Sequence, residues 1–485
     1  MYVNDHKIYN VRLQKTVAKA YMYLLPLRMI APLLFLKGYV NVCANYFDLV
    51  LHLLGLFLIV IRTRGTIRTD RSSGGRLFHY FAFLIIGLNL ISLAMALILH
   101  GSLGTLGGED TFSAIATMLI YYFQYAFMVY YNKEIFKLFT KEEIYQILRR
   151  LGILLLIFAY LQLAAFLLGG IFTTVYDSLN VLGTFQKSSY FQSLGRLPLT
   201  GTEPAAAGGV IAVLVYPVLL ASILNKTKTR QNILLVLLWL PIVYFTKSST
   251  CYMLIFIEII AFLILLYKNS SMKLAYLLVA VLVLIGGSAT ALKFQGLNFT
   301  NSEDNMFYYL LFDKVGDKNN ESTVTRTIPI YINFSVFVHY PISGVGNGNQ
   351  GFFYDDYYPS WGDISKGTYD KVQGVADGGV AIPSLFSGYG LLGVIAVFVY
   401  FVKAHKLMRQ NKEELGVFYY IYILSGIALF INGFQEDYLG NYYAWFMLSI
   451  PYMVNCIKSE KQEGENGNAN PNQYRRSYIK SAAGT

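Results

Sequence analysis

Arg196 and Arg326 are the two residues of this sequence whose type and setting most directly suggest chemistry. Arg196 lies in GRLPLTGTEPAAAGG, residues 195–209, where acids are few, and Arg326 begins RTIPIYINFSVFVHYPISGVGNGNQGFF. A guanidinium is planar, always charged and able to grip two phosphate oxygens at once, so an arginine without nearby acids reads as an anion-binding group. For Arg196 the alternative is a side chain reaching among lipid headgroups. In the same string Glu203 is a carboxylate open to a functional reading. Glu203 also has a structural reading. With Thr202 before it and Pro204 after it, it sits where helix starts favour caps, acids and proline.

Downstream of Arg326, Gly344, Gly346 and Gly348 alternate, permitting positive backbone dihedrals and close approach of amide groups to a ligand. The run lacks the spacing and the lysine of a nucleotide-binding P-loop, and a plain turn also accounts for it. The segment from Phe352 to Tyr369 is crowded with rings and carboxylates, among them Tyr357, Trp361, Asp355, Asp356 and Asp363. Aromatic faces pack on the apolar face of a pyranose while carboxylates accept its hydroxyl protons, so this surface suits sugars; the alternative is a belt of rings at headgroup level. No metal and no cofactor are expected. The aspartates have no EF-hand spacing, and no His or Cys cluster has zinc spacing.

The elements that must hold these residues are membrane helices. Apolar residues make up 55% of the chain and charged ones 14%, with a mean hydropathy of +0.45, more than a water-exposed surface carries. Runs long enough to span recur near 17–36, 45–61, 78–99, 111–131, 150–171, 204–225, 231–246, 250–267, 273–292, 383–402, 415–434 and 439–457. They predict an all-α, polytopic transmembrane helix bundle of about twelve spans. The net charge of +11 does not point to nucleic acid, because the basic residues gather at span ends and not in one basic and aromatic patch. Cys43, Cys251 and Cys456 lie in or beside predicted spans and read as packing residues.

Lysine and arginine are retained on the cytoplasmic side during insertion. They follow the second, fourth and sixth spans, as Arg62 to Arg76, Lys133 to Arg150 and Lys226 to Arg230, and return at Lys403 to Lys412. Both termini are therefore expected in the cytoplasm, with two long loops outside, residues 172–203 and 293–382. Residues 1–457 form the membrane domain on this reading, and the polar, Asn-rich stretch 458–485 a disordered cytoplasmic tail. Within the second loop, Ile328 to Tyr340 is apolar but too short to span, and suits an interfacial helix with Arg326 at its start.

Three strings resemble the O-antigen polymerase and ligase family of bacterial surface-polysaccharide assembly: GRLPLTGTEPAAAG, FTKSST at 245–250, and FSVFVHYPISGVGNG followed by GYGLLGV. Where the ligase branch tends to carry a second His ahead of the GYGLLGV span, this chain reads VADGGVAIPS, which favours the Wzy-type polymerase branch. The resemblance implies a membrane glycosyltransferase acting at the outer face of the cytoplasmic membrane, with polyprenyl-pyrophosphate-linked repeat units as donor and acceptor. It implies no cofactor and no nucleic acid, and as partners a chain-length regulator and a repeat-unit flippase. Arg196 and Arg326 would hold the pyrophosphate, with Gly344, Gly346, Gly348, Tyr357 and Trp361 completing the substrate site. The attacking sugar hydroxyl would need a base within hydrogen-bond reach, for which Glu203, Asp377 and His339 are the candidates, in that order. The alternatives are an O-antigen ligase, and a transporter or flippase of lipid-linked sugars, which would carry polar residues inside several spans.

Overall fold

The computed structural model describes residues 2–26, 47–63, 73–103, 110–179, 187–200, 204–269, 321–359, 380–435 and 441–454, and among them there is no strand. The helices are α1 (Tyr2–Leu24), α2 (Phe47–Thr63), α3 (Ser73–Leu99), α4 (Thr111–Leu138), α5 (Lys141–Leu168), α6 (Gly170–Leu179) and α7 (Ser188–Leu194). They continue as α8 (Pro204–Leu224), α9 (Thr229–Thr246), α10 (Ser249–Asn269), α11 (Glu321–His339), α12 (Ala381–Gln410), α13 (Lys412–Leu415), α14 (Val417–Asn432) and α15 (Tyr442–Leu448). Of these, α3, α5, α8, α9, α10 and α12 are long and apolar enough to cross a membrane. The chain is an all-α, polytopic membrane protein. The expected span 273–292 and the tail 458–485 lie outside the described residues.

The spanning helices are not equivalent. In α8, 94% of the apolar window is buried inside the protein, against 28% to 44% in the other five. A helix apolar all round and buried all round is the centre of a bundle, while the others keep a face for lipid. Packing against α8 are α9, α10, α14 and, less extensively, α5. Small residues set the distance: a Cβ on Gly208 would come within 2.8 Å of Cys251 on α10, so only glycine allows this approach. Midway, Ile211–Val215 loosen into a π turn. The Ser425 hydroxyl of α14 donates to the Val213 carbonyl at 2.9 Å, satisfying one of the carbonyls a π turn misaligns.

Local chemistry explains several boundaries. Thr140 and Glu143 form a capping box: the Thr140 hydroxyl accepts from the Glu143 amide and the Glu143 carboxylate from the Thr140 amide. It starts α5 nine residues ahead of the expected span at 150. The loop 172–203 is not plain loop, for it holds most of α6 and all of α7, pinned together by the Asp177 carboxylate accepting from the Ser188 amide at 2.9 Å and hydroxyl at 2.6 Å. The expected final span is interrupted. After Leu448 the chain tightens into a 3-10 turn over Ile450–Met453, where Pro451 has no amide to continue an α-helix. α11 begins at Glu321, so Arg326 stands in its second turn and not at its start; Pro329 is carried within the helix.

α12 is broken at Gly390, whose φ of 57° and ψ of −160° are not helical. The segment after α11 fills the break. The Val345 and Gly346 amides donate to the Ser387 and Gly388 carbonyls at 2.8 and 2.9 Å, and the Leu391 and Leu392 amides donate to the Pro341 and Ile342 carbonyls at 2.8 and 3.1 Å. Four groups orphaned by the break thus find main-chain partners. Gly390 lies nine residues into α12, roughly 14 Å along the axis. Irregular backbone at such depth is tolerated only where protein covers it.

Candidate functional site

The contacts sort the helix ends into two groups. At one end Lys15 pairs with Glu143 at 3.4 Å, Arg149 donates to Asn232 and Gln231 at 3.0 Å each, and Lys228 reaches Gln146 at 3.4 Å. Lys141 donates to the Glu414 carbonyl, Lys412 to Asn269 at 3.4 Å, and Lys403 lies 3.8 Å over the Tyr80 ring. These are the stretches that charge distribution assigns to the cytoplasm, now gathered together. At the other end the Leu197 amide donates to the Phe245 carbonyl at 3.0 Å and the Ile382 amide to the Gly433 carbonyl at 2.9 Å, while Thr250 bonds Gln435 at 3.4 Å. We label these the inner and outer ends after the orientation expected from the charge distribution.

Arg196 occupies the outer end through a helix cap. Gly195, in the left-handed region at φ 62°, ends α7; its amide donates to Gln192 and the Arg196 amide to Phe191, both at 3.3 Å. This is the glycine-terminated pattern that closes helices by turning the chain sharply. The next amide, Leu197, is the one fastened to α9 at Phe245. Arg196 is therefore held on the α9 to α10 junction, half-buried. Lys247 sits on the same junction. It ends α9 with φ 45°, a region seldom adopted by residues with a side chain, and its ammonium lies where a Cβ on Gly195 would be 3.7 Å away. Among the described residues neither cation has a carboxylate within ion-pair distance.

The second group lies over α3, α11 and α12. His339, exposed at the end of α11, donates its Nδ1 hydrogen to the Ser335 carbonyl at 2.8 Å, which leaves Nε2 as the acceptor in the neutral ring. Its ring lies 4.7 Å from that of Tyr357, tilted by 39°. Burial, and then Tyr340 and Asp356, raise the Tyr357 phenol above its ordinary pKa. Beneath them Met95, Leu99, Ile328, Ile332, Val336, Val345, Phe353 and Tyr354 form a small core separate from that of the bundle.

The glycine run makes the close backbone approach expected of it, but to α12. A Cβ on Gly344 would run into the Ser387 carbonyl and Gly388. All its amides donate within the protein: Gly344 to Tyr340, Val345 and Gly346 to α12, Asn347 to the Ser92 hydroxyl, Gly348 to the Gln350 side chain and Asn349 to Gly346. A buried side-chain lattice backs it, with Gln350 donating to Asn347 at 2.7 Å and Ser387 to Asn333.

Glu203, Trp361 and Asp377 lie outside the described residues, and of Arg326 only the helical backbone is described. Two residues passed over in the sequence emerge. Lys247 stands in FTKSST as the single basic residue of a short outer junction, and only its contact with Gly195 gives it meaning. Glu258, in the middle of α10, is fully buried, with no hydrogen-bond partner for either carboxylate oxygen among the described residues. An acid inside an apolar run was its visible signal. No group of three or more metal-ligating side chains occurs among the described residues.

Residues 233–372 match the family model described as O-antigen ligase. No curated protein matches the chain. The match takes in Lys247, Arg326, His339, the glycine run, Tyr357 and Trp361, and leaves out Arg196, Glu203 and Asp377.

Proposed function

We propose, from the O-antigen ligase family domain at residues 233–372, that this protein is a polymerase of polyprenyl-pyrophosphate-linked oligosaccharide repeat units. It would build O-antigen, capsular or exopolysaccharide at the outer face of the bacterial cytoplasmic membrane. The acceptor unit's sugar hydroxyl attacks the anomeric carbon of the donor glycan, the bond from that carbon to the pyrophosphate oxygen breaks, and polyprenyl pyrophosphate departs. Negative charge grows on the leaving group, so fixed cations at the outer end lower the barrier most. Arg196 and Arg326 take that role. The hydroxyl proton passes to Glu203, Asp377 or His339; an Nε2 acceptor on an exposed His339 fits the requirement. Tyr357 and Trp361 would supply faces for sugar rings. A chain-length regulator and a flippase would work beside it.

The observation that carries the reading is the family domain lying over the junction of α9 and α10 and over the His339 and Tyr357 surface. Ligase action is the second reading, favoured by the matched family's description and opposed by the sequence ahead of α12, where VADGGVAIPS holds no histidine. Loss of the gene separates them. Without a polymerase, single repeat units still reach their final acceptor and polymer vanishes. Without a ligase, full-length polymer collects on the polyprenyl carrier. The second pattern overturns the polymerase assignment, and unchanged glycan in both positions overturns both readings.

A further inference from the structure

Lys247 and Arg196 come from segments fifty-one residues apart, yet the structure assembles them on one face. The Leu197 amide bond to Phe245 clamps the α7 cap onto the end of α9. Gly195 has no side chain, and the Lys247 ammonium uses the space, 3.7 Å from where a Cβ would stand. Both side chains are half-buried, and no described carboxylate neutralises either. On the same junction the Tyr252 hydroxyl of α10 donates to the Tyr244 carbonyl at 2.6 Å. Two like charges on one junction, with no described acid at ion-pair distance from either, repel each other unless an anion joins them. That repulsion is relieved best by a ligand carrying two adjacent negative groups.

We infer that Arg196 and Lys247 form one cradle that reads both phosphates of a lipid pyrophosphate and so discriminates it from a lipid monophosphate. The identity of the ligand rests on the proposed function; the pairing of the cations does not. Arg196 supplies the planar fork and Lys247 a point charge. A diphosphate engages both, and a monophosphate leaves one unanswered. The same arrangement favours the loaded carrier over the monophosphate to which a spent carrier is hydrolysed, and over ordinary phosphodiester headgroups with one charge each.

The test uses the full-length protein in nanodiscs of phosphatidylcholine and measures binding of farnesyl pyrophosphate and farnesyl monophosphate by calorimetry. The wild type is expected to prefer the pyrophosphate by roughly tenfold or more, the size of effect one additional charge-assisted contact gives. Lys247→Gln should bring the two affinities to within about twofold while monophosphate binding holds, and Lys247→Arg should keep the preference. Equal thermal midpoints for the variants confirm that each is folded. Retained preference in Lys247→Gln overturns the cradle. So does competition by nanodiscs containing phosphatidylglycerol that abolishes the preference, which would make the pair a headgroup site. Binding needs no acceptor and no polymer, so the two readings fail separately: preference without polymer formation sinks the proposed function, and polymer formation without preference sinks the cradle.

Discussion

The two ends of the bundle are joined by different bonds. At the inner end charged side chains do the joining, with Lys15 on Glu143, Arg149 on Asn232 and Gln231, Lys141 on the Glu414 carbonyl and Lys403 over Tyr80. At the outer end main chain meets main chain: Leu197 with Phe245, Ile382 with Gly433, and the four bonds that stitch residues 341–346 into the break in α12. Side-chain contacts occupy charged groups and main-chain bonds do not: among the described residues the outer cations Arg196 and Lys247 have no acid within ion-pair distance, while Lys15 at the inner end has Glu143. The difference separates a surface that anchors from one that can bind an anion.

Three measurements would break or sharpen this contrast, in falling order of effect. The first is all or none. Ser193→Cys, beside the outer cap, should react with a membrane-impermeant thiol reagent in intact cells, and Glu142→Cys, in the first turn of α5, should not. The opposite pattern would turn the molecule over and place the unmatched cations in the cytoplasm. The second tests main-chain joining. Gly390→Ala forces a Cβ onto φ 57° and against the Ile342 carbonyl and Gly344 amide, so it should cost about 3 kcal/mol or more, combining dihedral strain with a clash that no flexible side chain can absorb. Chemical denaturation in detergent would show it, and a loss under 1 kcal/mol would mean that the stitched break is not a rigid part of the fold.

The third measurement is the smallest. Arg149→Ala removes two hydrogen bonds at the inner end and should lower stability by about 1 kcal/mol. Polymer formation from lipid-linked repeat units should be unchanged, since the residue belongs to the anchoring end. A large loss of activity with stability intact would show that the inner end takes part in the chemistry, and the contrast between the ends would fall.

Much of the scaffold was legible because a span must be continuous and apolar over about twenty residues, a property of consecutive positions. The starts of α8, α9 and α10 lie within two residues of the expected ones. The small residues Ala205 to Gly209 mark a place where helices can approach closely, and Gly208 meets Cys251 there. Other boundaries moved where a cap or a proline outweighed hydropathy, as at Thr140 and Pro451. A helix over Ile328 to Tyr340 was foreseen, but its start was placed too late, because the mostly polar stretch Glu321 to Thr327 extends it and hydropathy does not register it.

What the sequence determined by itself is the kind of molecule: an all-α membrane bundle, with basic residues segregated by loop and chemistry-bearing residues concentrated in two of the connections. Those properties are sums over neighbouring positions. The tertiary structure alone decided which distant segments share main-chain bonds. Gly344 and Gly390 are forty-six positions apart and each needs to be glycine because of the other's segment; Lys247 becomes a partner of Arg196 only because Leu197 binds Phe245. Main-chain hydrogen bonding is nearly blind to side-chain identity. The sequence therefore marks such a junction with no more than a glycine, and packing supplies the rest.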